Sequence, residues 1–192
     1  MSDEFLGDRK KALEESFFAK ENERLLERMR DEKAKLAAKD ALAEASRIQD
    51  DAVLDRLVEL EIGPDTWTAL SLIPLVEVAW ADGRMDPRER EAILRGATET
   101  GIPEGSWSYR LLRIWTVDPP APELFEVWEE FIGSLAAKLG TEERAEFRRK
   151  LVGRSREVAE AAAGLLGTGP RVSESEARVL RRLDEAFEAA DA

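Results

Sequence analysis

Three carboxylates fall within eight residues near the middle of the chain: Asp82, Asp86 and Glu89, in the run Ala81-Asp82-Gly83-Arg84-Met85-Asp86-Pro87-Arg88-Glu89. Oxygen donors at this density are what a hard cation such as calcium or magnesium requires, so these three are the candidate metal ligands. Their spacing is not the alternating one of a twelve-residue calcium loop. The same residues also have a purely structural use. Asp82-Gly83 can close a helix, with Gly83 taking the positive φ of a helix C-terminus. Asp86 can then cap the next helix, with Pro87 in its first position and Glu89 reaching back to complete a capping box.

Other chemistry is narrowed by what the chain lacks. Its 192 residues include no cysteine and no histidine. That removes Ser-His and Cys-His nucleophile pairs, disulfides, and thiolate or imidazole metal sites. Without thiols the chain cannot itself carry a thiol-based reduction. Gly164, Gly167 and Gly169 are not followed by Lys-Ser or Lys-Thr, so they form no phosphate loop. Glu77 interrupts the apolar run Leu75 to Ala81, where burial would raise its pKa, and Arg95 or Arg110 is its expected partner. No facing carboxylate pair can be read from the sequence, so no catalytic residue is assigned and the chain is read as a non-enzyme. The net charge of −12 disfavours nucleic acid and an anionic membrane surface. No apolar run approaches a membrane span and the N-terminus has no signal-peptide core, so the expected location is cytoplasmic.

The elements that must position these groups read as helices. Residues 8 to 46 are rich in Ala, Leu, Glu, Lys and Arg, as a long charged helix would be. Phe18, Leu25, Met29 and Leu36 match a heptad seam with Asn22 inside it, and Glu32 and Lys39 break that seam. Two readings stay open for this segment. It folds back and buries Phe17 and Phe18, or it is an arm that docks on a partner. Further helices are expected from Asp50 to Glu61, stopped by Gly63-Pro64; after an Asp65 cap; and anew from Pro74. Leu75 to Ala81, apolar nearly all round, reads as a buried central helix. Ser106, Pro122, Thr141 and Ser173 each open another. The five tryptophans are mostly core, with one or two near Pro119-Pro120 free to rim a binding surface.

The chain also echoes itself. Arg171-Val172-Ser173-Glu174-Ser175-Glu176, then Val179-Leu180, repeats Arg84-Met85-Asp86-Pro87-Arg88-Glu89, then Ala92-Ile93, at an offset of 87. Each copy has a glycine-bearing turn and a capping box, and each follows an alanine- and valine-rich helix end, VEVAWADG or VAEAAAGLLGTG. At these residues the chain resembles the TerB-like family of tellurite-resistance proteins. The resemblance lies in the Ala81-Asp82-Gly83 turn with Asp86 and Glu89 after it, and in Val158 to Ala161, Gly167, Ser173 and Glu176. It covers about residues 50 to 190. It implies a compact all-helical domain, a link to tellurite and other chemical stress, and a metal site made from Asp82, Asp86 and Glu89. The second turn, Leu166-Gly167-Thr168-Gly169-Pro170, departs from the pattern because no Asp precedes its glycine.

No β-alternating stretch bounded by hairpin turns appears. The expected fold is all-α: a bundle of about eight helices with a pseudo-repeated helix–turn–helix pair, preceded by a long charged N-terminal helix. Residues 1–48 form the amphipathic arm and 49–192 the TerB-like domain. The expected function is a non-enzymatic scaffold or adaptor that binds a protein partner, or itself as a homo-oligomer, through the arm residues Phe17, Phe18, Leu25 and Met29 or through the surface around residues 103 to 122, with no resident cofactor. The alternative is a stress-response domain holding calcium or magnesium on the Asp82 turn.

Overall fold

Glycine, proline and side-chain caps cut the chain where its apolar runs end. The computed structural model describes residues 2–136, 138–163 and 172–188; the side chains of 2–19, 22, 134, 162, 163 and 188 lie outside that description. Its elements are α1 (Ser2–Ser46), α2 (Asp51–Glu59), a 3-10 segment (Trp67–Leu72), α3 (Ile73–Ala79), α4 (Pro87–Glu99), α5 (Trp107–Trp115), α6 (Pro122–Ala136), α7 (Thr141–Ala163) and α8 (Glu174–Glu188). No strand occurs among the described residues, and the fold is an all-α bundle.

The axle is α3. Pro74 opens it, as a residue with no N–H to donate can do only in a first turn. Ile73, Val76 and Val78 are wholly buried, and Leu75 and Ala79 nearly so. A seven-residue helix has little stability of its own; burying each large aliphatic side chain contributes about 1.5–3 kcal/mol, so packing holds this one. It packs against α4, α6, α7, α8 and the 3-10 segment, which places the Asp82 turn beside the C-terminal half of the bundle. Trp128, Phe125 and Phe187 fill the same core, with the Phe125 and Trp128 rings stacked 5.5 Å apart.

Among the described residues, α1 packs on α2 and the 3-10 segment through its C-terminal turns. Leu42 is fully buried there, and Ile48 follows it into the core. Ser46 Oγ donates to the Leu42 carbonyl and accepts from Ile48 N–H, and Arg47 turns the corner at φ 58°. Lys39 Nζ bridges Asp51 and Asp55 of α2, at 3.0 and 2.7 Å.

Two local readings change. α2 stops before Gly63, because Glu61 adopts φ 61° and Ile62 N–H closes on the Leu57 carbonyl as Ile62 itself becomes buried. The segment after Pro64 is 3-10, and Asp65 does not cap it. The Asp65 carbonyl instead accepts from Ser108 Oγ of α5, while Thr66 Oγ1 accepts from Gly63 N–H.

Candidate functional site

The acidic turn forms as its residues dictate. Gly83 sits at φ 81°, and its N–H donates to the Trp80 carbonyl. Asp82 Oδ1 accepts from Arg84 N–H at 2.9 Å, and Asp86 Oδ1 from Arg88 N–H at 2.8 Å. Glu89 Oε2 accepts from Asp86 N–H at 2.9 Å, which completes the capping box. One oxygen of each carboxylate is thus engaged by the backbone. Among the described residues no group of three or more acids is arranged to hold a metal ion.

The electrostatics of this turn reach beyond it. Glu89 is 4% exposed, and its pKa is raised to about 7. Burial is the main cause. The hydrogen bond from Asp86 N–H opposes it, and the charges of Glu176, Asp82 and Asp86 add to it. Glu176 is the back-bonding residue of the α8 capping box: it accepts from Ser173 N–H and donates its own N–H to Ser173 Oγ. The glutamates of the two boxes therefore lie in each other's field. Gly167, Gly169 and the rest of the second turn lie outside the described residues.

Glu77 is part-buried, and burial raises its pKa, with Arg182 opposing and Glu129 assisting the shift. The balancing arginine is thus Arg182 of α8, not Arg95 or Arg110. Arg95 pairs with Glu99, and Arg110 lies over the Trp107 ring. Arg182 also pairs with Glu129 and stacks 4.5 Å from the centre of the Phe125 ring, so it joins α3, α6 and α8. No spacing rule could find it, since the two residues are about a hundred positions apart.

The sequence-expected partner residues divide. Leu25 and Met29 are 48% and 58% exposed, and Leu26 and Leu36 are exposed with them. The side chains of Phe17 and Phe18 lie outside the description. Among the tryptophans, Trp107 is the one on the surface, at 60% exposure. Trp115 is buried, and its carbonyl accepts from Trp80 Nε1. Ile114 is exposed on the same side of α5 as Trp107, and Val117, past the helix end, is exposed as well. The stripe falls within the surface around residues 103 to 122 expected from the sequence, although the sequence pattern does not single its residues out, because α5 also carries a buried face of Ser108, Leu112 and Trp115. Also unforeseen is a cleft of about 410 Å³ between α7 and α8, lined by Arg144, Arg148, Arg149, Asp184 and Phe187 among others.

No helix among the described residues is long and apolar enough to cross a membrane. In comparisons with known proteins, no family model, no curated protein and no solved structure matches the chain.

Proposed function

We propose that the chain is a non-enzymatic protein-interaction module, a cytoplasmic scaffold or adaptor of the TerB-like, stress-response kind, which binds a protein partner or a second copy of itself through α1. One observation carries this reading. Leu25, Leu26, Met29 and Leu36 are all exposed on a helix whose C-terminal turns pack on the bundle. Apolar side chains grouped in this way lose free energy to water until a partner covers them. The carboxylates with raised pKa have structural uses, Glu89 in a cap and Glu77 opposite Arg182, which favours binding over catalysis. The test is affinity capture with the full chain and with Leu25→Asp/Met29→Asp. Loss of a specific partner at an unchanged melting temperature supports the reading; an unchanged partner set ends it.

The Asp82 turn supports the second reading, a calcium- or magnesium-binding stress-response domain. The observation in its favour is the repulsion that Glu176, Asp82 and Asp86 exert on Glu89, which a divalent cation would relieve. Trp80, three residues before Gly83, reports on it. With the other tryptophans replaced by phenylalanine, a saturable change in Trp80 emission on adding calcium or magnesium supports binding. A flat response into the millimolar range removes it.

A further inference from the structure

Two exposed helix stripes share one pattern. On α1, Met29, Glu32 and Leu36 stand at i, i+3 and i+7; on α5, Trp107, Arg110 and Ile114 do the same. All six side chains are exposed. Each stripe is apolar at its ends and charged in the middle, and the two charges are opposite. Arg110 holds its guanidinium 4.8 Å from the Trp107 ring centre, which keeps the positive charge on the stripe.

We propose that α1 of one copy of this chain docks parallel to α5 of a second copy. Met29 then meets Trp107, Glu32 meets Arg110, and Leu36 meets Ile114, at a constant offset of 78 residues. The proposal rests on reading α1 as an interaction arm, and it names the arm's occupant. The flanks agree with the register. In parallel helices, a residue just before one core position faces the partner residue five further along. That rule sets Arg113 against Asp40, both exposed and opposite in charge. Antiparallel pairing instead lays Glu32 on Trp107 or Ile114 and turns Arg110 toward Met29 or Leu36. Ile114 is also placed next to a groove of about 260 Å³ at the root of α1, lined by Leu36, Lys39 and Val58 among others. The chain does not satisfy the stripes itself, since both are exposed on one copy. Two such contacts, exchanged reciprocally, close a dimer. Glu32, which looks in the sequence like a defect in the heptad seam, becomes the residue that selects the partner and the register.

The chain has no cysteine, which makes the test clean. Full-length Leu36→Cys and Ile114→Cys proteins, mixed and oxidised, should form a mixed cross-link well above either self-cross-link, whereas Leu25→Cys with Ile114→Cys should not. In sedimentation, Glu32→Arg or Arg110→Glu alone should weaken self-association by about tenfold or more, and the double variant should restore it. A wild type that stays monomeric at hundreds of micromolar, or a double variant that restores nothing, overturns the proposal. If the wild type is monomeric yet Leu25→Asp/Met29→Asp loses a different captured protein, the arm reading stands and this occupant is wrong. If that variant changes neither self-association nor capture, both fall.

Discussion

Glu89 holds the tension between capping and burial. Its carboxylate is the acceptor the α4 cap needs, yet it lies out of water and facing three other acids. With a pKa raised from 4.5 to about 7, the folded chain keeps a proton that the unfolded chain releases. The stabilising contribution of this group is therefore complete below pH 4.5. It falls as pH rises through the window to 7, and stays lost above it. The loss amounts to about 3 kcal/mol. Glu89→Gln keeps an oxygen for Asp86 N–H and removes the charge. It should stabilise the protein at pH 8 and flatten the dependence of stability on pH between 5 and 7, as measured by denaturant unfolding at each pH. A variant with the wild-type pH slope would show that Glu89 titrates elsewhere. Glu77 acts in the same direction, moderated by Arg182. Arg182→Leu removes the ion pair with Glu129 and the contact with Phe125, and should cost about 1–2 kcal/mol. The Glu77 pKa should rise further in that variant, which carboxyl NMR titration would detect.

At the scale of elements, α1 has a root and a shaft. The root is core, because Leu42 is fully buried and Lys39 is held by Asp51 and Asp55. The shaft carries exposed apolar residues up to Leu36. Removing residues 1–37 should leave the melting temperature nearly unchanged and abolish association. Leu42→Ala should cost about 2–5 kcal/mol without touching the shaft. Calorimetry on both proteins separates the two parts; a large loss of stability on removing the shaft would make it core instead. The boundary between arm and domain read from sequence, after residue 48, falls just beyond Ser46, the end of α1, a helix whose last turns pack on the bundle. Sequence is informative where structure is local. The Asp86–Glu89 and Ser173–Glu176 boxes, the Gly83 turn, the Pro74 start and the Ser106 cap all form as their residues indicate, because each needs only neighbours in the chain. It is silent where the partner is distant. Arg182 opposite Glu77, the effect of the Glu176 charge on Glu89, and the exposure of Trp107 instead of Trp115 depend on how helices pack, which no short-range pattern encodes.

At the scale of the whole molecule, charge is unevenly spread. Residues 1–39 contain ten basic and ten acidic side chains, so the net −12 resides entirely on residues 40–192. Two copies brought together repel through their bodies, while the arm, neutral overall, approaches without that penalty. The proposed contact sets close opposite charges and apolar surface against a long-range repulsion, and these respond differently to salt. At about 10 mM ionic strength the screening length is near 30 Å and body–body repulsion acts in full; at about 150 mM it is near 8 Å, and only close pairs still interact strongly. Self-association should therefore tighten between these two conditions and change little in higher salt, where apolar contact dominates. Sedimentation equilibrium across that range measures it. A dimer that weakens steadily as salt is added would instead place exposed ion pairs, rather than Met29, Leu36, Trp107 and Ile114, in control of the assembly.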